Sequence, residues 1–317
     1  MNKYEIDQEL ILLKPLKFSK YTNSRRFFAN LIFKLTMFFT RPKMGIREKR
    51  FVFRGYKHQK VRLSVYELKK QTGKAPGLLY LHGGGFQIQG TPVQERMVAN
   101  MILETGHKAV YVDYRLAPKY PFPTALEDCY HALLWMVEHA DFLNIDINDI
   151  SVAGESAGGN LAAAVALLAR DRKGPKIQRQ MLLYPVLDVN QETESMKLYY
   201  DAPMWNANLN RDMWKIYLKN GDYGMLQYAS PSIADVKGLP ETYIETADYD
   251  CLRDEGINYG KKLRKAGIRV IEHDTKKTVH GYDAVFFSKL VKNLTRERIL
   301  FLRGEKNDEN KSRNLES

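Results

Sequence analysis

The chain has 317 residues, of which 44% are hydrophobic, and a formal charge of +12. This length and composition suit one large α/β domain with a sizeable core. Residues 1–60 hold fifteen Lys or Arg and four Asp or Glu, so nearly all the positive charge lies at one end. No recognition motif for nucleic acid accompanies that charge, which argues against nucleic acid as a partner.

The cysteine content and the N-terminal sequence indicate where the protein is located and whether it binds a metal. Two cysteines, Cys129 and Cys251, give neither a disulfide framework nor the spacing of a metal site. The first ten residues lack the order of a secretory signal, and no apolar run reaches the ~18–20 residues that span a bilayer. We therefore expect a cytoplasmic protein without a bound metal. The polar stretch 304–317 is expected to be a disordered tail.

Residues 50–303 alternate predicted strands with predicted helices, which indicates an α/β fold with a mostly parallel sheet and helices on both faces. The predicted strands are 50–55, 61–67, 77–81, 109–114, 150–154, 181–186, 242–247 and 269–273, the first two being edge strands. The predicted helices are 123–139, 157–172, a helix that ends at Lys265 and one that begins at about Tyr282. Functional groups in such sheets gather beyond the carboxyl ends of the strands.

Residues 1–49 and 190–229 fall outside this alternation, and we expect both to form a helical cap over one end of the sheet. The first segment contains a predicted amphipathic helix from Ser24 to Arg41, which Ser24 caps and Pro42 stops. Its apolar stripe is Phe27, Phe28, Leu31, Ile32, Leu35, Phe38 and Phe39, and the opposite face carries Arg26, Asn30 and Lys34.

The sequence Gly154-Glu155-Ser156-Ala157-Gly158 stands between a predicted strand and a predicted helix. That context is typical of the G-x-S-x-G turn, which lifts a nucleophilic serine above the sheet. The glycines leave room for the sharp turn, and the N-terminus of the following helix favours developing negative charge. We therefore predict that Ser156 is a nucleophile.

A serine nucleophile needs a base, and the base needs an orienting carboxylate, in the chain order Ser, Asp or Glu, His. Only two histidines follow Ser156. His273 lies inside a predicted strand, whereas His280 lies in a loop just after it, so His280 is the predicted base. Asp248 and Asp250 both lie in the loop after the preceding strand, and position alone does not separate them as the acid.

The stretch from His82 to Gly85 ends a short apolar strand with three residues that have no side chain. Attack on an ester carbonyl creates an oxyanion, which backbone N–H groups stabilise. Because side chains would block its approach, Gly84 and Gly85 are the predicted donors, together with Ala157 after the nucleophile. His82 precedes the serine and is interpreted as a structural residue of the loop.

These motifs resemble those of the hormone-sensitive-lipase-like esterase family of α/β-hydrolases. The matching stretches, spread over about 200 residues in the family's order, are HGGGF (82–86), DYRLAPKYPFPTALEDCYHAL (113–133), GESAGGNLAA (154–163), YPVLD (184–188), LPETYIETADYDCLRDEG (239–256) and HGY (280–282). The resemblance implies the α/β-hydrolase fold with a helical cap, and it assigns the catalytic acid to Asp250.

The resemblance also implies a function. The expected activity is that of a serine carboxylesterase acting on short- to medium-chain acyl or acetyl esters through an acyl-enzyme, with no cofactor. The expected partner is a small-molecule ester, and the exposed edges of the sheet allow a homodimer. The alternatives are a membrane-surface lipase and a catalytically inactive hydrolase fold that binds a small molecule.

The helix at residues 24–41 has two interpretations. Its apolar stripe could lie on a membrane surface as a peripheral contact, or it could close over the active site. Seven large apolar side chains left in water are unfavourable. We therefore predict that the stripe packs against residues 190–229 and the acyl pocket as part of the cap.

Overall fold

The computed structural model describes residues 3–18, 20, 22–39 and 44–305. Within them, eight strands form one sheet in the order β1-β2-β4-β3-β5-β6-β7-β8. The strands are β1 (Ile46–Arg54), β2 (Lys60–Leu68), β3 (Ala75–Leu81), β4 (Lys108–Asp113), β5 (Ile145–Glu155), β6 (Arg179–Leu183), β7 (Glu241–Tyr249) and β8 (Val270–Val279). Strand β2 is antiparallel to β1 and β4, and the other neighbours are parallel, which confirms the predicted α/β class.

Ten α-helices connect or cover these strands in the described part of the chain. They are α1 (Asn23–Phe39), α2 (Pro92–Thr105), α3 (Thr124–Glu138), α4 (Ala140–Leu143), α5 (Ala157–Asp171), α6 (Glu194–Leu198), α7 (Ala207–Tyr217), α8 (Leu226–Ala229), α9 (Arg253–Lys265) and α10 (Lys289–Arg303). Short 3-10 turns occur at Gln8–Leu13 and Tyr282–Val285, among other places. None of the described helices combines the length and apolar character needed to cross a bilayer.

Both faces of the sheet are buried, as strand β3 shows most clearly. Leu79 and Leu81 belong to the apolar cluster on one face, whereas Leu78 and Tyr80 belong to the cluster on the other. A strand covered on both sides reads as a continuous apolar run because neither set of side chains meets water. Helices α3, α5 and α9 lie in the first layer, and α2 packs against α10 in the second.

Three elements differ from the sequence-based predictions. Strand β2 was predicted at an edge but pairs on both sides, since the register continues from Val65 to Val110 of β4. Helix α2 was missed, although Thr91 and Gln94 form a capping box and Pro92 starts the helix. Strand β8 continues past His273 to Val279. The apolar pattern does not reveal this second half because most of its residues are polar.

Residues 190–229 contain α6, α7 and α8, and these helices pack over one end of the sheet. The ring of Phe86 stacks on Tyr217 of α7 with centroids 3.7 Å apart. The N-terminal segment is tied to the same region, because the backbone N–H of Met204 donates to the carbonyl of Leu16 at 2.7 Å. The division of the chain into cap segments and a catalytic domain stays a prediction.

The predicted burial of the apolar stripe of α1 is wrong. Its described members, Phe27, Phe28, Leu31, Ile32 and Leu35, are 42–65% exposed. The face with Arg26 and Asn30 is turned inward instead, as the contacts of both residues with the loop after β3 show. The side chains of Phe38 and Phe39, Pro42 and the tail residues 306–317 lie outside the described residues.

This inward polar face has a physical reason. The loop after β3 presents polar groups at Gln87 and Gln89 that need partners once α1 covers them. Asn30 supplies both kinds: its Nδ2 donates to the carbonyl of Gln87 at 3.0 Å, and its Oδ1 accepts from the N–H of Gln89 at 2.8 Å. Arg26 Nη1 donates to Gln87 Oε1 at 3.0 Å. Satisfying these polar groups therefore decides which face of α1 turns inward.

Candidate active site

The predicted nucleophile lies on a strained turn between β5 and α5. Ser156 has φ +57° and ψ −120°, a conformation that L-residues adopt at functional sites where the surrounding structure enforces it. A Cβ on Gly158 would lie 2.0 Å from the carbonyl oxygen of Leu81, so no other residue fits there. Helix α5 is buried along nearly its whole length, which holds the turn rigidly. The geometry is that of a nucleophile elbow.

The structure brings Ser156, His280 and Asp250 together in a hydrogen-bonded chain. His280 Nε2 lies 2.9 Å from Ser156 Oγ, and His280 Nδ1 lies 2.6 Å from Asp250 Oδ2. Asp250 is fully buried, and the other two residues are at most 8% exposed. An imidazole placed in this way can accept the hydroxyl proton while the carboxylate stabilises the resulting imidazolium.

The two aspartates that the sequence left open occupy different places. Asp250 also accepts the N–H of Leu252 at 3.0 Å through Oδ1, which fixes its carboxylate at the end of β7. Asp248 Oδ2 instead accepts the N–H of Lys277 at 3.0 Å, on the neighbouring strand. His273 lies within β8, as predicted, and its ring is tilted against that of Tyr243, with centroids 5.2 Å apart, rather than near the serine.

The glycine loop after β3 lies against the nucleophile. Gly84 has φ +119°, and a Cβ there would lie 2.4 Å from the carbonyl oxygen of Ile88. The carbonyl of Gly84 accepts the N–H of Ile88 at 2.9 Å, while Gly84 and Gly85 both line the cavity beside Ser156. Within the described chain, no hydrogen bond takes up the N–H of either glycine. Ala157 is the first residue of α5, and the first N–H groups of a helix have no partner inside it.

His82 has a structural environment, in keeping with its interpretation from the sequence. Its ring is fully buried, stacks on Tyr114 at 4.2 Å, and places Nδ1 2.7 Å from the carbonyl of Gly83. Burial lowers the pKa of His82 to about 4, so the ring is neutral at physiological pH. It holds the base of the glycine loop and does not reach the nucleophile.

Glu155, a variable residue of the Gly154–Gly158 motif, has a role in the site that the motif does not indicate. Its buried carboxylate accepts the N–H of Gly83 and the hydroxyl of Tyr80, both at 2.5 Å, and also the side-chain amide of Gln94. It therefore ties the glycine loop to the nucleophile turn. Burial raises the pKa of Glu155 to about 7, against the lowering effects of Tyr80 and Gly83. Its position beside the serine was the only signal in the sequence.

A buried ionic cluster supports the loop that carries His280, and it was also missed. Arg298 of α10 is fully buried and donates from Nε to Glu245 Oε1 at 2.7 Å and from Nη2 to Asp283 Oδ1 at 3.0 Å. Tyr184 donates to Asp283 at 2.7 Å, and its ring lies edge-on to His280 at 4.9 Å. Burial alone would raise the pKa of Glu245, but Arg298 holds it below its ordinary value. The cluster joins β7, α10 and the histidine loop.

A cavity of about 510 Å³ opens beside Ser156 and His280. Ile88, Val93 and Met97 line it from the glycine loop and α2, and Ile32 and Phe33 line it from α1. Trp205 lines it from residues 190–229, with its ring 5.9 Å from that of His280. The cavity lining is therefore mostly apolar, although Arg26, Thr36 and Gln87 also contribute polar groups.

Comparison with known proteins places this geometry in a family. A family model described as "alpha/beta hydrolase fold" matches residues 78–284. Esterase LipI of Mycobacterium tuberculosis is 40% identical over 214 residues, 66% of each chain, and the arylesterase of Saccharolobus solfataricus is 35% identical over 70% of this chain and 75% of its own.

Solved structures agree with these relatives. The structure titled "Bacterial Heroin Esterase" superposes with a TM-score of 0.86 at 34% identity, covering 94% of this chain and 97% of that one. A further sequence relative, carboxylesterase NlhH of Mycobacterium tuberculosis, is 35% identical over 76% of each chain. The chain therefore belongs to the hormone-sensitive-lipase-like esterase family of α/β-hydrolases, and it is a carboxylic ester hydrolase.

Proposed function

We propose that this esterase hydrolyses short- to medium-chain acyl or acetyl esters through an acyl-enzyme on Ser156. The observation that carries the proposal is the continuous chain from Ser156 Oγ through His280 to Asp250, which opens on an apolar cavity. The cavity has the size of a small-molecule site. Acyl chains fit it because most of its lining is apolar.

The reaction follows from the positions of these groups. Ser156 Oγ attacks the acyl carbon while His280 Nε2 takes its proton, and the N–H groups of Gly84, Gly85 and Ala157 stabilise the oxyanion. His280 then gives the proton to the departing alcohol as the carbon–oxygen bond breaks. A water molecule then attacks the acyl carbon while His280 takes its proton, and His280 returns that proton to Ser156 Oγ as the bond from the acyl carbon to Oγ breaks and the carboxylic acid leaves. Asp250 orients His280 and stabilises the imidazolium in both halves of the reaction.

A series of p-nitrophenyl esters from two to twelve acyl carbons tests the substrate class. We expect kcat/KM to be highest within the short to medium range and to fall for the longest chains. The Ser156→Ala variant should lose activity by at least about 10⁴-fold with an unchanged unfolding midpoint. A serine-directed organophosphonate should label Ser156 in the native protein. Wild-type turnover in the Ala variant would contradict the mechanism, and an inactive but ligand-binding wild type would favour the receptor alternative.

The proposal also covers location and assembly. We propose a cytoplasmic protein, supported by two cysteines that are both free and buried. Strands β1 and β8 are the edges of the sheet, and such edges offer backbone groups to a second copy in a homodimer. Peripheral membrane contact through residues 24–41 is supported by the exposed side chains of α1, and its chemistry is argued below.

A further inference from the structure

The outer face of α1 is apolar and uncovered by the described part of the chain. We use this name for Phe27, Phe28, Leu31, Ile32 and Leu35, of which Ile32 lies at the edge of the face and also borders the cavity. Other exposed apolar side chains of the N-terminal segment are Ile11, Leu12, Leu16 and Met44. Scattered exposed apolar residues are ordinary, but five on one helix face mark a contact surface.

The charge around this face selects its partner. From Leu10 to Arg47 the sequence has nine Lys or Arg and no Asp or Glu. Lys17, Lys20 and Arg25, close to the start of α1, are exposed. A second copy of the chain would bring like charges together, which is unfavourable at an interface. A helix with an apolar face and basic residues instead fits an anionic lipid surface, where it lies parallel to the plane of the surface.

The same helix is a wall of the catalytic cavity. Ile32, Phe33 and Thr36 line the cavity from α1, and Ala284 lines it from the turn after His280. Phe287, close beyond that turn, is 55% exposed. Since an α-helix is about 10–12 Å across, a surface against the outer face lies within roughly one helix diameter of the cavity.

We propose that the outer face of α1 docks on an anionic lipid surface and that the enzyme takes water-insoluble esters from that surface. The first half of this proposal is independent of catalysis, whereas the second half rests on the ester hydrolysis proposed above. Docking brings the cavity next to the layer in which such esters dissolve. The alternative occupant, a second copy of the chain, is an outcome of the test.

Vesicle flotation of the full chain measures the docking directly. The probes are vesicles of phosphatidylcholine alone and vesicles of phosphatidylcholine with about 30% phosphatidylglycerol, which is anionic. We expect the protein to float with the anionic vesicles and about tenfold less with the neutral ones, and we expect salt to weaken the binding. Equal flotation with both vesicles, or none with either, would overturn the proposal.

Two triple variants separate the outer face from general surface hydrophobicity. The first is Phe28→Ser, Leu31→Ser and Leu35→Ser, none of which lines the cavity. The matched control is Phe142→Ser, Ile147→Ser and Leu198→Ser, which are similarly exposed but lie elsewhere. The first should lose at least roughly tenfold in vesicle binding, and the control should bind as the wild type does. Equal binding by both variants would refute the role of the outer face.

The two halves of the proposal fail in different ways. With a medium-chain ester dissolved in the vesicles, the wild type should hydrolyse it several-fold faster in anionic than in neutral vesicles. The first triple variant should lose that difference, and it should hydrolyse a soluble ester at the wild-type rate. Ser156→Ala should still float. Flotation without activity on any ester would refute the proposed function alone. A third outcome would assign the outer face to a second copy of the chain. In that case the wild type would sediment as a dimer, the first triple variant would sediment as a monomer, and neither would float with vesicles.

Discussion

The catalytic turns at the carboxyl ends of the strands and helix α1 border the same cavity, yet they are organised in opposite ways. Ser156, Asp250 and His280 are buried polar groups that are paired with one another. Helix α1 buries Arg26 and leaves Phe27, Phe28, Leu31 and Leu35 exposed. The difference teaches that a reaction fixes which groups must meet, whereas the orientation of an amphipathic helix depends on the surfaces available to it.

The strongest test of the comparison lies in the catalytic turns. Asp250→Asn should lower kcat by about 10⁴-fold, because His280 would then be held in the wrong tautomer. Asp248→Asn is the matched control, since Asp248 contacts the N–H of Lys277 and not the histidine. Steady-state kinetics with a soluble ester measure both variants. The reverse ranking would assign the acid to Asp248 and contradict the geometry.

A smaller effect should appear in the pH dependence of stability. The pKa of Glu155 is raised by burial to about 7, so the folded state favours the protonated carboxyl and loses stability as the pH rises from the unfolded pKa through 7. Glu155→Gln removes this titration. From pH 5 to pH 8, the unfolding free energy of the Gln variant should therefore gain about 2–3 kcal/mol relative to the wild type.

Urea denaturation at the two pH values measures this change. The contribution of His82, whose pKa is lowered, is common to both proteins and cancels in the difference. Glu138→Gln, at an exposed position, is the control and should show no such trend. A difference independent of pH would mean that Glu155 is ionised throughout the range.

The smallest effect concerns the inward face of α1. Asn30→Ala removes two hydrogen bonds to Gln87 and Gln89, each worth about 1 kcal/mol. Because α1 walls the cavity but holds no reacting group, KM for a medium-chain ester should rise a few-fold with kcat nearly unchanged. Leu31→Ala, one residue along but on the outer face, is the control for soluble substrate. An unchanged KM for the Asn30 variant would show that α1 does not shape the cavity.

The meeting of Ser156 and His280 could be anticipated from the sequence, because each residue lies in a short pattern at the end of a strand. Gly158 is needed because its backbone lies close to Leu81, and His280 follows directly after the last strand. Both residues can therefore be recognised from the residues next to them in the sequence. The polar partners of α1 lie 57 to 61 residues further along the chain, in the loop after β3. The periodicity of α1 therefore shows two faces but does not show which one turns inward. Arg298 is likewise invisible, because 53 residues separate it from Glu245 and no short motif links them.

The same separation has a consequence for the order in which the site is completed during synthesis. The nucleophile turn is made first, and the base follows 124 residues later. In the described part of the chain, the carboxylates of Glu245 and Asp283 both pair with Arg298, which leaves the ribosome later still. Two buried carboxylates without a counter-charge are strongly unfavourable, so the histidine loop cannot settle before α10 docks. The hydrogen-bonded chain of Ser156, His280 and Asp250 therefore depends on α10, the last helix of the described chain, although none of its three residues lies in that helix.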